Sequence, residues 1–192
     1  MVIFRLKNTL IPSDDSSWKQ LVTDSLGADV HPKRALGFCL AREALRECLK
    51  TLNQPLSIPE LVLKGYGELQ GFPGLKLSLS HSADWGAAAI TTDSRIVSLG
   101  IDMEPLERVV KPMILGRIAH PHDLDLSPLS IWALKEAIFK SLMNTLKFEN
   151  PLEFSSIQIG DGVWTQSESQ ISGEWKLEQI EGQLVALAWI KI

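Results

Sequence analysis

The sequence predicts an α+β fold built as two similar halves, and three observations carry that prediction. Two long segments, 32–52 and 127–147, have apolar residues at helical spacing. Each is followed by a run of short stretches rich in β-forming residues, so the order helix then strands occurs twice. Gly, Pro, Asn and Asp cluster between these stretches, as turns require.

Val2 to Leu6 alternates like a short strand, and Ile11-Pro12-Ser13-Asp14-Asp15 supplies turn and cap chemistry before a short helix through Leu21 and Val22. In the first long helix Leu36, Leu40, Ala44 and Leu45 line the apolar face. Lys33, Arg34, Arg42, Arg46 and Lys50 stay polar, and Asn53-Gln54-Pro55 ends the helix. Strands are expected at 60–63, 75–80, 85–91 and 96–103, in an antiparallel-looking run. Pro105 and Pro112 bracket an irregular or helical link, after which Ser127-Pro128 offers an N-cap and first-turn proline for the second long helix. Strands then follow at 154–159, 174–179 and 184–191, the last two joined by a hairpin at Glu181-Gly182. The halves are drawn at 1–100 and 101–192, with a ligand site expected in the cleft between them.

The 192 residues are 45% hydrophobic with a net charge of −4, which suits one sizeable globular domain or two small halves. A mildly acidic chain lacks the dense cationic surface that nucleic acid or anionic lipid demands, so neither is expected as a partner. The N-terminal stretch lacks the apolar run of a signal peptide and no segment approaches a membrane span, from which cytoplasmic residence is expected. Cys39 and Cys48 are nine residues apart in one helix, have no metal-ligand spacing, and read as ordinary buried thiols.

Chemistry concentrates in two places. On a strand of period two, Asp102 and Glu104 point to the same side. In Trp132-Ala133-Leu134-Lys135-Glu136-Ala137-Ile138-Phe139-Lys140, helical geometry puts Glu136 and Lys140 on one face with Trp132 a turn earlier, and displaces Lys135 by about 100°. Three carboxylates from two elements make an oxygen cage for a hard divalent cation, and Lys140 can neutralise phosphates held by that cation. Taken alone, Glu136 and Lys140 also make an ordinary i,i+4 pair, and Trp132 reads as packing the helix on a strand.

Four motifs occurring in order give the chain its resemblance: His31-Pro32-Lys33-Arg34 leading to Arg42, Ser80-His81-Ser82 followed by Trp85, Gly100-Ile101-Asp102-Met103-Glu104, and the Trp132-to-Lys140 helix. Together they resemble the 4′-phosphopantetheinyl transferase superfamily, in its longer, monomeric group. The resemblance implies two similar α/β halves in a pseudo-twofold arrangement with coenzyme A between them. It implies transfer of the 4′-phosphopantetheine group of coenzyme A to a serine of an apo acyl or peptidyl carrier protein, with release of adenosine 3′,5′-bisphosphate. It also implies Mg²⁺ held by Asp102, Glu104 and Glu136, with Glu136 as candidate general base. Metal ligation would lower the basicity of Glu136, so a metal-bound water is the alternative proton acceptor. Lys140 is matched to a coenzyme A phosphate contact, His81 to the 3′-phosphate with Ser80 beside it, and Arg34 and Arg42 to nucleotide-facing positions.

Two departures from the family pattern stand out. Tyr66-Gly67-Glu68-Leu69 replaces a Gly-Lys-Pro element, exchanging a cation for an acid, and Asp123 is the nearest counterpart of a glutamate that usually precedes the second long helix. His120 and His122 flank that aspartate as an isolated His-x-His in a loop, read as solvent-facing. Glu68 motivates a second expectation, a coenzyme A binding homologue with little transfer, and the acidic cage a third, a metal-dependent pyrophosphohydrolase. Carrier docking is expected on the link after the metal strand, through Arg108, Lys111, Arg117, Met113, Ile114 and Leu115.

Overall fold

The computed structural model describes residues 1–8, 15–64, 67–82, 84–144 and 152–192. The fold is α+β, and the chain forms two compact units, Met1–Thr92 and Asp93–Ile192. The break falls in the turn ahead of residue 96. A boundary at residue 100 would cut a strand whose every paired residue belongs to the second unit.

In the first unit, β1 (Ile3–Lys7), β2 (Lys76–Ser82) and β3 (Trp85–Thr91) form an antiparallel sheet of order β1-β3-β2. Helix α1 (Ser16–Leu26) starts at Asp15, whose carboxylate accepts from the Ser17 amide at 2.9 Å. Residues 11–14 of the expected cap lie outside the described residues. Helix α2 (Pro32–Thr51) carries proline in its first turn and buries Phe38, Cys39, Ala44, Leu45, Cys48 and Leu49 against Leu77, Ala88 and Ile90 of the sheet. Both cysteines are free and join this one core, because α2 packs on α1 as well as on the sheet. Burial pushes the Cys39 thiol to about 11 and that of Cys48 to about 12, so both behave as inert apolar groups. The strand expected at 60–63 is a 3₁₀ turn, Ile58–Glu60, followed by an isolated Leu63–Leu69 bridge. Pro59 and a Ser57/Glu60 capping box favour the turn there.

The second unit is a five-stranded antiparallel sheet of order β4-β8-β7-β6-β5, with β4 (Ile96–Pro105), β5 (Ile157–Ile159), β6 (Val163–Gln166), β7 (Ile171–Ile180) and β8 (Gln183–Lys191). The β7–β8 hairpin turns at Glu181 and Gly182, with φ of +51° and +78°, which is the backbone a two-residue hairpin loop needs. Helix α3 (Pro112–Ile118) fills part of the link after β4. Helix α4 (Pro128–Met143) begins at Ser127, which accepts from the Ser130 amide at 3.1 Å, and Pro128 occupies its first turn. Its expected end near Lys147 lies outside the described residues. Ala133, Leu134, Ala137, Ile138 and Leu142 of α4 pack with Ile157, Trp164, Ala186 and Ala188 into the second core. The expected strand at 154–159 is a 3₁₀ turn, Phe154–Ser156, running into the short β5. Among the described residues no helix is long and apolar enough to cross a membrane.

Candidate active site

Helix α4 lies unusually close to β4, and Gly100 is the reason. A Cβ built at Gly100 falls 1.9 Å from the Ala137 carbonyl oxygen, so only glycine lets the two backbones meet here. Strand alternation puts Asp102 and Glu104 on the Gly100 face, aimed at the helix. Leu99, Ile101 and Met103 are buried on the opposite face. Close approach at Gly100 and period-two alternation thus bring two acids of β4 to the helix side that carries Trp132, Glu136 and Lys140.

The acids are engaged. Lys140 Nζ donates to Asp102 Oδ1 at 2.8 Å and to the Ile101 carbonyl at 3.0 Å, so the lysine reaches across to the strand. Trp132 Nε1 donates to Glu104 Oε1 at 2.7 Å, and Arg108 pairs with the same oxygen while its guanidinium sits 5.0 Å from the Trp132 ring centroid. Trp132 is therefore a hydrogen-bond donor to the carboxylate cluster as well as a packing residue. Arg108 was not among the expected contributors to this cluster. Its position after Pro105, in a chain that turns back on itself, is not legible from periodicity. Helix spacing puts Trp132 on the face of Glu136, but its expected role is packing alone, and the bond to Glu104 goes beyond it.

Glu136 is half-buried and, among the described residues, makes no side-chain hydrogen bond. Burial raises its pKa above the ordinary glutamate range. The Asp102 charge adds to this, Lys140 opposes it, and Glu104 and Arg108 contribute smaller effects of opposite sign. Glu136 thus feels both strand acids without being bonded to either.

Among the described residues no three His, Cys, Asp or Glu side chains converge into a ready metal cage. The donor chemistry nonetheless fits a hard divalent ion: three carboxylates face two cations, and all available donors are oxygens. A divalent cation would offset both the burial that chiefly raises Glu136 and the Asp102 charge that adds to it. Beside the cluster, a pocket of about 360 Å³ is lined by Leu106, Arg108, Val109, Ser127, Ser130 and Gln179, among others, and shares Arg108 with it.

Lys135 has a different task from Lys140. Its side chain is 1% exposed, pairs with the equally buried Asp123 at 3.0 Å, and donates to the carbonyls of Phe154 (3.2 Å) and Ile157. Burial pushes the Lys135 ammonium down, while the Asp123 bond and charge hold it up. Asp123 also accepts from the amides of His120 (2.7 Å) and Ile159 (2.8 Å), which makes it a hub joining loop, helix and β5. His120 and His122 lie beside it with ring centroids 5.5 Å apart, and His122 is exposed.

Arg34, Arg42, Ser80 and His81 belong to the first unit. Arg34 is exposed in the first turn of α2; Arg42 lies eight residues on, about 12 Å along the helix axis. The Arg42 guanidinium stacks 3.3 Å from the Phe38 ring centroid and is pushed down to about 10 by burial. Ser80 is buried in β2, while the exposed His81 lies against α2 at Gly37.

An antiparallel sheet covered by a helix thus brings acids and a lysine together where strand and helix approach most closely. Residues 98–188, which hold that strand and helix, match the family model described as the 4′-phosphopantetheinyl transferase superfamily. The matched segment lies wholly within the second unit and spans just under half of the chain. Among solved structures, the holo-[acyl-carrier-protein] synthase (AcpS) of Thermotoga maritima is similar at 23% identity and a TM-score of 0.40, over 50% of this chain and 64% of that one. The chain thus spans less than two thirds of that relative. No curated protein matches the sequence.

Proposed function

We propose that the protein transfers the 4′-phosphopantetheine group of coenzyme A to a serine of an apo acyl or peptidyl carrier protein, releasing adenosine 3′,5′-bisphosphate. The observation that carries this reading is the meeting of Asp102, Glu104, Glu136 and Lys140 between β4 and α4, within the segment matched to the superfamily.

In the reaction the serine oxygen forms a bond to the phosphorus bearing pantetheine, and the bond from that phosphorus to the bridging oxygen breaks. The serine proton must leave as the new bond forms, and negative charge grows on the departing phosphate. Asp102, Glu104 and Glu136 would hold Mg²⁺, which when bound would offset charge on the diphosphate. Glu136, which makes no side-chain hydrogen bond among the described residues, is the candidate proton acceptor; burial and the Asp102 charge raise its basicity, and a cation held beside it would lower it again. Lys140 exchanges Asp102 for a phosphate oxygen, a move open to a flexible ammonium that is partly exposed. The pocket beside Arg108, with hydroxyl, amide and apolar lining, suits the pantetheine arm.

By the same resemblance, Arg34, Arg42, Ser80 and His81 contact coenzyme A, with His81 on its 3′-phosphate. The carrier meets the exposed side of α3 and the preceding loop, where Val109 and Met113 are exposed beside Lys111 and Arg117. Arg108 is committed to Glu104, so Lys111 and Arg117 are the cations left for an acidic carrier helix. Cytoplasmic residence and a monomeric state complete the proposal; sedimentation equilibrium checks the latter.

Incubation with Mg²⁺, coenzyme A and an apo carrier, read by intact carrier mass, tests the reading. Addition of one phosphopantetheine is the expected result. Nucleotide release without carrier modification would indicate a pyrophosphohydrolase. Coenzyme A binding without either product would indicate the binding homologue that Glu68 suggests.

A further inference from the structure

We propose that Gly37 is a positioning residue for coenzyme A recognition: its missing side chain lets the His81 imidazole lie against α2, on the helix face that also presents Arg34. The inference rests on the reading of His81 as a contact to the coenzyme's 3′-phosphate.

Glycine inside a helix costs about 1 kcal/mol relative to alanine, so its place in the second turn of a 20-residue helix needs a compensating reason. The surroundings supply one. A Cβ built at Gly37 would stand 2.5 Å from His81 Nδ1, 2.7 Å from Cγ and 3.0 Å from Cε1. All three obstructing atoms belong to one imidazole.

A second close glycine of this unit, Gly86, behaves differently. A Cβ at Gly86 would meet backbone, the Leu40 carbonyl carbon at 2.1 Å and the Ala41 amide at 2.2 Å, so Gly86 sets the distance between helix and sheet. Gly86 is also the cross-strand partner of His81. The backbone of His81 is therefore fixed by the ladder, and only its ring can yield to a Cβ at position 37.

Arg34 precedes Gly37 by three residues, which places both on one side of α2. Arg34 and His81 are both exposed. Imidazole and guanidinium rising from adjoining elements suit a phosphomonoester, which offers several acceptor oxygens to donors from different directions. Gly37 fixes where the imidazole stands in that pair.

The test compares wild type, Gly37→Ala, His81→Ala and the double variant, using coenzyme A and 3′-dephospho-coenzyme A. Transfer kinetics are read together with binding by calorimetry, and folding by thermal unfolding. Expected for Gly37→Ala is a rise of about tenfold in KM and an equal loss of affinity for coenzyme A, with kcat kept and the dephospho ligand unaffected. Its unfolding midpoint should equal or exceed that of wild type. His81→Ala should show the same loss of discrimination, and the double variant no further loss. If His81→Ala loses discrimination while Gly37→Ala keeps it, the Gly37 inference fails and the His81 reading stands. If His81→Ala keeps discrimination, the His81 reading itself fails and takes the inference with it. A Gly37→Ala chain that does not fold also overturns the inference, because more than one ring would then stand in the way.

Discussion

Two lysine–aspartate pairs sit five residues apart on α4, at similar distances and in different surroundings. Lys135–Asp123 closes at 3.0 Å with both side chains at 4% exposure or less, and four further hydrogen bonds to backbone reinforce it. Lys140–Asp102 closes at 2.8 Å with the lysine 28% exposed and Glu136 beside it. The first pair cannot open without stranding a charge in a dry interior. In the second only Asp102 is buried, and the partly exposed lysine has water at hand to receive its ammonium. Burial, not distance, separates an ion pair that holds the fold from one that can be exchanged for a ligand.

The largest expected effect falls on the buried pair. Asp123→Ala leaves an uncompensated ammonium and two unmet amides, and should cost about 3–5 kcal/mol in chemical denaturation. A loss below about 1 kcal/mol would erase the distinction between the two pairs. Comparable in size but opposite in kind, Glu136→Gln should lower kcat by about 10²–10⁴-fold. Its unfolding midpoint should hold or rise, because a repelled carboxylate is replaced by a neutral amide.

Smaller effects sharpen the comparison. Lys111→Glu should raise KM for the carrier about tenfold and leave coenzyme A affinity alone, as measured by calorimetry beside transfer kinetics. Trp132→Phe removes one donor to Glu104, which keeps Arg108, and should cost about 1 kcal/mol in denaturant titration.

Glu136 also predicts opposed pH slopes. Its folded pKa lies above its unfolded value, so its contribution to stability is fully present below the unfolded pKa and is lost as pH rises through the folded one. Activity that needs the carboxylate should climb as pH rises, at lower pH than the stability loss because bound Mg²⁺ favours the charged form. Unfolding midpoints and kcat measured across pH 4–8 in parallel, with Glu136→Gln as reference, would reveal the crossing. Parallel slopes would contradict it.

Much of the scaffold was legible because its periods are clean. The 3.6-residue pattern of α2 and α4, the Ser127-Pro128 start and the Glu181-Gly182 turn each rest on local physics that the sequence displays. β6 was missed, although Gly160-Asp161-Gly162 followed by Val163-Trp164-Thr165-Gln166 offers a turn and a strand; its four residues are too few to stand out as a period. Within the site, alternation announced that Asp102 and Glu104 share a face, and helix spacing that Glu136 and Lys140 do. Which cation takes which acid was not legible. The i,i+4 rule pairs Lys140 with Glu136, whereas the Gly100 contact brings Asp102 within its reach. The hub at Asp123 depends on amides of two distant segments, a long-range coincidence that no local pattern encodes.

The central claim is that the meeting of β4 and α4 is a transfer site whose chemistry can be removed without disturbing its frame. Its most direct test is the intact mass of an apo carrier protein after incubation with Mg²⁺, coenzyme A and either wild type or Glu136→Gln, both verified as folded. The account predicts one phosphopantetheine added by wild type and almost none by the variant in the same time. A variant that modifies the carrier at the wild-type rate would contradict it.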